Sequence, residues 1–576
     1  MDKHRRWAPR YIGYVVAFWL AFCPGLLPAT VWYMAPAPLG NDGNPGSMAQ
    51  PFNTFWEAGT HALPGDTVYV RGGTYALTQP AWIPCSGAAG VPITFAAYPG
   101  ETPVIDGTGI GVTATVLGLG GSYLAVRGLS VVGGGEGIVA WGFSHEQITG
   151  NTLSGTAGSG IYVGYSSLGM VSDVLISGNT VHNCVAENNP PGVGAYVNGW
   201  PASVSTYWVT SATVSANLVY DNFGEGLAIT HCDGILLTGN TVHDNFSIGI
   251  YFDNVQGSTI TANLAYTTGD PAYFRFGLPC PSIAMANENF TPTTNPLDGC
   301  LVSDNVTVGG RYGFYYGNYE NGGGLKNFTV VHNTFYNAAQ EGLWIDPDPG
   351  HVGNLFADNL VTQSGSGSPA YFGGPASGFT FTHNAWYPSS PGGSLAGPGD
   401  VTGAPLFQGP GGLAAMDYQL LSGSPGIGAG IPVAGVSTDA AGVAFTMNPA
   451  LGAYEWVQPG VTATPTPTSN GATPTPPAAA IGPLSILRTA AVPQPNPDRL
   501  MLDLSSACGS VTVKVYTRAL VLAFQQTFAG ASAGWTSLSL GPQFAHLASG
   551  SYYATVSAKA LDGSVVHATQ KLVLLR

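Results

Sequence analysis

The stretch ILLTGNTVHDNFSIGIYFDNV, residues 235–255, decides the fold. Two short apolar runs meet at a Gly-Asn turn, and a third run, Gly-Ile-Tyr-Phe-Asp, closes the unit. Apolar and polar residues alternate with the period of a strand, and no helical period runs through it. The same grammar recurs when the turn asparagine is aligned, at Asn151, Asn179, Asn217, Asn240, Asn263, Asn305, Asn333, Asn359 and Asn384. Successive spacings are 28, 38, 23, 23, 42, 28, 26 and 25 residues, a base period near 23 with two long insertions. Such a period marks a solenoid. A second signature follows many of the asparagines: GIYV at 160–163, GAYV at 194–197, GLAI at 226–229, GIYF at 249–252, GFYY at 313–316 and GLWI at 342–345. Two or three short strands per unit predict a right-handed parallel β-helix, an all-β fold whose coils stack ~4.8 Å apart. The asparagines are then expected to ladder from coil to coil through their side-chain amides.

Composition agrees. The 576 residues hold 82 glycines and only 8% charged residues, against a usual ~25%. Many turns and little charge suit short strands. A net charge of −15 with 16 Lys plus Arg speaks against a nucleic-acid partner, because backbone phosphates need a basic face.

Lys3, Arg5, Arg6 and Arg10 precede an apolar run from Tyr11 to Ala29, so residues 1–29 read as a signal peptide or N-terminal anchor. Secretion or a place on the cell surface is the expectation, by bacterial-type export. Export permits disulfides, and Cys280 with Cys300 is the pair expected among the six later cysteines. The β-helix is expected over 30–456. A Pro/Thr-rich spacer follows at 457–482. Alternating runs at 483–576 predict a small β-sandwich. Attachment to the envelope is expected through the N-terminal segment or this last module.

The chain resembles the pectate-lyase-like superfamily of right-handed β-helix proteins in three regions: VWYMAPAPLGNDGNPGSMAQPFNTFWEAGTHALPGDTVYVRGGTY (31–75), the repeats from Leu117 to Pro388, and DYQLLSGSPGIGAG with ALGAYEW (417–430, 450–456). In the first, Thr54 and Glu57 have the spacing of a capping box. The last module is similar to immunoglobulin-like C-terminal modules of exported proteins. This fold hosts lyases, hydrolases and adhesins, so function rests on the site.

Strand alternation turns one column outward: Tyr162, Tyr196, Ala228, Tyr251, Tyr315 and Trp344. Such rings can stack on sugar, while the bland reading is that aromatics suit exposed strands. The next outward column reads Gly164, Asn198, Thr230, Asp253, Gly317 and Asp346, with Ala286 expected in the interrupted coil. His231 lies one coil before Asp253, and Glu225 opens the strand of that coil. The two insertions flank these coils, and the second brings Arg275 and Glu288. Two chemistries fit. Elimination from a uronate would use Ca²⁺ on Asp253 and Asp346 and a base, Arg311 or Lys326. That arrangement is what the resemblance implies, although the usual aspartate cluster on adjacent coils is absent. Hydrolysis would use Glu225 with Asp253 as paired carboxyls. The expectation is thus a carbohydrate-active protein that binds, and cleaves by lyase or hydrolase chemistry, a polysaccharide or cell-surface glycan. The alternative is a non-catalytic adhesin or glycan-binding or structural protein. Asp346 and Asp348 in IDPDPGH also fit a simple Asp-Pro turn.

Overall fold

A computed structural model describes residues 29–458, apart from 166–168, 170, 189–201, 289–295, 320–321, 364–367 and 375, and most of 486–574. The segment expected to be a signal peptide or anchor and nearly all of the expected spacer lie outside the described residues.

Three parallel sheets, two of 13 described strands and one of 11, wind into a right-handed parallel β-helix. One coil shows the path. Val209–Ser215 lies in the first sheet, Leu218–Asn222 in the second, Glu225–Thr230 in the third, and Asp233–Thr238 re-enters the first. Each strand pairs with its equivalent one coil on, as in Leu227 with Ile250 and Val219 with Val242. Inward positions are mostly aliphatic or aromatic: Val214, Leu237, Ile260, Val302, Val330 and Phe356 from one sheet, Leu227, Ile250, Ile283 and Phe314 from another. All are buried, and a fully buried side chain of this size contributes ~1.5–3 kcal/mol.

The corner between the first two sheets explains the sequence period. The residue before each ladder asparagine is left-handed, as at Gly178 (φ 65°) and Gly239 (φ 63°), or at Asp358 (φ 56°) where no glycine is present. That bend turns the asparagine inward. All nine asparagines are buried, and the Nδ2 of each of the first eight donates to the next Oδ1 at 2.9–3.1 Å. Asp400 ends the line by accepting the Asn384 N–H. A second, shorter ladder at the next corner escaped the sequence pattern: Asn222 accepts the Cys184 N–H and donates to Asn245.

The N-terminal end is capped by the helix Phe55–His61. Thr54 accepts the Glu57 N–H, but the Thr54 N–H goes to Asp42 rather than to Glu57. Asp42, 12 residues upstream, therefore completes the expected capping box. At the other end, Tyr418, Leu420, Ala450, Leu451, Ala453 and Tyr454 of the closing segment pack on outer residues of the second sheet. His332 stacks on Phe445 at 4.0 Å. Cys280 and Cys300 are free thiols, not the expected pair. Cys300 Sγ faces the Val255 and Asp298 carbonyls inside the coil, whereas Cys280 lies near Asp244 at another corner.

The chain divides into two compact units at Gly460. In the second unit, one antiparallel sheet of three strands and one of four surround a core of Val511, Val513, Val515, Ala554, Val556 and Ala558.

Candidate functional site

A cleft of ≈1070 Å³ runs over the outer face of the 11-stranded sheet. Two rows of outward side chains floor it. Backbone register aligns Tyr162, Ser205, Ala228, Tyr251, Ala284, Tyr315, Trp344 and Tyr371 in one row. The next row is Gly164, Tyr207, Thr230, Asp253, Ala286 and Gly317. Tyr196 lies outside the described residues. The strand of its coil is Ala202–Tyr207, so Ser205 and Tyr207 hold the positions expected for Tyr196 and Asn198.

A third row comes from a break in the pleat. Successive amides of Gly226 and Leu227 donate to the Ile248 and Gly249 carbonyls of the next coil, and Gly137 and Ile138 do the same toward Ser159 and Gly160. Two consecutive N–H groups facing one neighbour cancel the alternation, so Glu136, Ser159, Ala202, Glu225 and Ile248 border the cleft. Glycine is required at 226, where a Cβ would lie 2.5 Å from the Gly249 carbonyl oxygen. The Glu-Gly pairs at 136–137 and 225–226 were the available sequence signal for this row.

Glu225 is 6% exposed and Asp253 is 3% exposed; they lie on adjacent coils, Asp253 paired with Thr230, five residues along the strand from Glu225. Burial pushes the Asp253 carboxyl up to about 7; the Glu288 N–H, donating to Oδ1 at 2.9 Å, opposes the rise and the Glu288 charge adds to it. Burial likewise holds Glu225 well above the carboxylate range, reinforced by Glu288 and Asp253 and offset by Arg275. The Tyr251 hydroxyl donates to Glu288 Oε1 at 2.6 Å. Arg275 Nη1 reaches Ser247 Oγ at 3.4 Å. Both insertions wall the cleft, the first through Glu187 and the second through Arg275 and Glu288. Glu136, Glu187, Tyr207 and Tyr319 were not singled out from the sequence; Tyr319 and Glu187 sit on loops whose course no repeat dictates.

Other expected residues lie elsewhere. His231 is left-handed (φ 53°), and its ring stacks on Trp208 at 4.2 Å rather than facing the cleft. Lys326 sits in a turn whose backbone bridges Asp298 and Val352. Arg311 donates from Nε to Gln340 Oε1 at 2.7 Å. Neither borders the cleft. Tyr315 and Trp344 continue the aromatic row beyond it, with Trp344 stacked on Tyr371 at 4.0 Å. Asp346 is three coils from Asp253, roughly 14 Å along the axis, so the two cannot share a calcium ion. Asp346 instead accepts from Trp344 Nε1 (2.8 Å) and the Asn318 N–H (3.1 Å). Asp348 accepts from the Tyr316 hydroxyl (2.6 Å) and the Gly350 N–H (2.7 Å), the pattern of a turn.

Among the described residues, Asp221, His243 and Asp244 have ligand-type atoms within 4.8 Å of one another, on the second sheet. Asp244 already accepts from Thr267 Oγ1 and the Thr268 N–H and contacts His243 Nδ1 at 2.7 Å. The His243 ring is stacked between Tyr220 and Tyr266. Asp244 and His243 are thus already engaged, and the grouping lies apart from the cleft.

Residues 32–204 match the family model described as "Pel9A-like, right handed beta helix region". These residues form the N-terminal coils of the solenoid. A stretch of 96 residues is 35% identical to pectate lyase PEL9 of Emericella nidulans, covering 17% of this chain and 23% of that protein. Another of 191 residues is 30% identical to pectate lyase L of Paenibacillus polymyxa, covering 32% and 40%. The chain thus spans less than half the length of these curated relatives. The crystal structure of pectate lyase Pel9A superposes with a TM-score of 0.49 at 18% identity, covering 74% of this chain and 96% of that one. The matched Pel9A-like region holds Glu136, Tyr162 and Glu187 but ends before Glu225 and Asp253.

Proposed function

We propose that this is an exported carbohydrate-active protein that binds a polysaccharide along the 11-stranded sheet and hydrolyses it between Glu225 and Asp253. The carrying observation is that pair: two carboxyls buried in one cleft, on adjacent coils, both pushed above the carboxylate range. Glycoside hydrolysis needs one carboxyl protonated and one ionised. Glu225, held up by burial and by the neighbouring charges of Glu288 and Asp253, is the proton donor to the glycosidic oxygen. As that C–O bond breaks, water adds to the sugar carbon and loses its proton to the Asp253 carboxylate. The Glu288 N–H steadies that carboxylate at Oδ1.

Elimination is less well supported. It needs a base beside a uronate, and Arg275 is the one Lys or Arg among the described cleft residues. Tyr162, Tyr207 and Tyr319 offer ring faces and hydroxyls for sugar, whereas Tyr251 is 3% exposed with its hydroxyl on Glu288. The basic-then-apolar start of the chain supports export and a surface location.

Incubating the full chain with a panel of polysaccharides tests the reading. New reducing ends without ultraviolet-absorbing unsaturated ends, lost in Glu225→Gln, are expected. Unsaturated ends would establish a lyase. Retention of a glycan without cleavage would leave a binding protein.

A further inference from the structure

Large aromatic side chains gain most from burial, yet three tryptophans among the described residues stand in solvent, and they stand together. Trp56, Trp82 and Trp141 are 57%, 40% and 47% exposed, and all three belong to the N-terminal coils. Trp56 and Trp82 border one pocket of ≈750 Å³ between the capping helix and Ala81–Ile83, the edge strand of the 11-stranded sheet. Both rings are held in place. The helix buries Phe55 and Ala58 and lies so close to the chain leaving that strand that a Cβ on Gly59 would come 2.5 Å from Pro84 Cδ. Trp82 leans over Gly118 of the next strand, where a Cβ would come 2.3 Å from its ring. Rings fixed in this way have little freedom left to lose on binding. The rest of the lining is polar and uncharged. Thr74, Thr78 and Gln79 are exposed there, with their side-chain polar groups turned over to solvent. Asp42 is the one charged residue among those described, and its carboxylate is occupied: Oδ1 accepts the Asn53 and Thr54 N–H groups and Oδ2 the Thr54 hydroxyl, at 2.8–3.0 Å.

The pocket stands in line with the cleft. Backbone register carries Trp82 through Gly118 and Val139 to Tyr162, three strand spacings or ~14 Å away. Beside that line Trp141 stacks on Tyr162, with ring centroids 5.5 Å apart. From this continuity, and resting on the glycan reading above, we infer that the pocket between Trp56 and Trp82 is a second, non-cleaving binding site for a neutral polysaccharide. It holds a remote stretch of the polymer that lies in the cleft. The strand of Asp253 is six spacings from that of Trp82, ~29 Å, so the pocket takes no part in the chemistry. A pyranose ring offers a face of C–H groups to an indole and a rim of hydroxyls to Thr74, Thr78 and Gln79. A carboxylate or ammonium on the sugar would find no free charge in this lining to offset its lost hydration, and a neutral sugar has no such need.

The test is affinity electrophoresis of the full chain in native gels containing xyloglucan, galactomannan, mixed-linkage β-glucan or polygalacturonate. At least one neutral polymer should retard the chain, and Trp56→Ala/Trp82→Ala should weaken that retardation about tenfold or more in apparent Kd, the usual scale for losing aromatic anchors. Trp56→Phe/Trp82→Phe keeps a ring face at each position and should retain most of the binding. A control, Leu63→Ala/Met447→Ala, removes two exposed apolar side chains outside the pocket and should change nothing. Equal retardation of wild type and the alanine variant, an equal loss in the control, or retardation by polygalacturonate alone would each overturn the inference and leave the cleft as the glycan site. A wild-type dimer in light scattering that the alanine variant dissolves would make the pocket an interface between copies and overturn it as well. Retardation by none of the four polymers would overturn both the inference and the glycan reading beneath it.

Discussion

The β-helix buries two lines of polar side chains, and they differ in how they are satisfied. Along the first corner, nine asparagines lie at 0–2% exposure, and every amide in the line has partners. Asn240, for instance, donates to Asn263 Oδ1 and the Val214 carbonyl and accepts from the Asn217 backbone and side chain. On the 11-stranded sheet, Glu225 and Asp253 are nearly as buried, but their neighbours include further carboxylates. A neutral amide that finds partners costs the fold nothing and fixes register. Clustered carboxyls destabilise the fold, and such groups mark functional sites. Burial alone does not separate scaffold from site; the sign and satisfaction of the neighbours do.

Substitutions that exchange the roles of the two lines should move opposite properties. The largest effect is expected on cleavage: Glu225→Gln or Asp253→Asn should lower the turnover of the identified substrate about 10²–10⁴-fold with binding retained, read by reducing-end release. Next, Asn240→Ala should cost about 3 kcal/mol or more in denaturant unfolding, because several buried bonds are lost and partners are left unpaired. Tyr251→Phe, which removes the donor to Glu288, should cost about 1 kcal/mol in stability. At the bottom, Lys326→Ala should leave the cleavage rate unchanged. A lost rate there would restore lysine as a base and break the contrast.

The scaffold was legible because its signal repeats. The period of the asparagines, with a left-handed residue before each, spells out the corner coil after coil. Outward alternation in Ile250–Asp253 placed Tyr251 and Asp253 in their rows. What local alternation could not give was the third row: inward Leu227 implies an inward Glu225, and only paired amides at Gly226 turn that glutamate out. Nor did spacing within one insertion reveal that Glu288 closes over Asp253, since that contact depends on where a non-repeating loop returns. His231 looked catalytic for a converse reason. It is one coil from Asp253 in sequence order, yet a left-handed turn aims its ring at Trp208. Cys280 and Cys300 bracket one segment, and the solenoid carries them to different corners.

Stability against pH, compared between the wild-type chain and Asp253→Asn, tests the central claim without knowledge of the substrate. The folded Asp253 carboxyl titrates near 7, against an ordinary value of 3.8. Between those values the folded state holds a proton that the unfolded state has lost. Its contribution is therefore fully present below about pH 4 and is lost as pH rises through about 7. At most roughly 4 kcal/mol is at stake, from 1.36 kcal/mol per pH unit. Asp358, also near 7, falls in the same direction, and His332, near 4, in the opposite one; both are common to the two proteins and cancel in the comparison. Asp253→Asn is expected to lose less stability than wild type on going from pH 4 to pH 8 and to be the more stable protein at pH 8. A variant less stable than wild type across the whole range would show that Asp253 supports the fold as the asparagines do, and would contradict the claim that it is held there for chemistry.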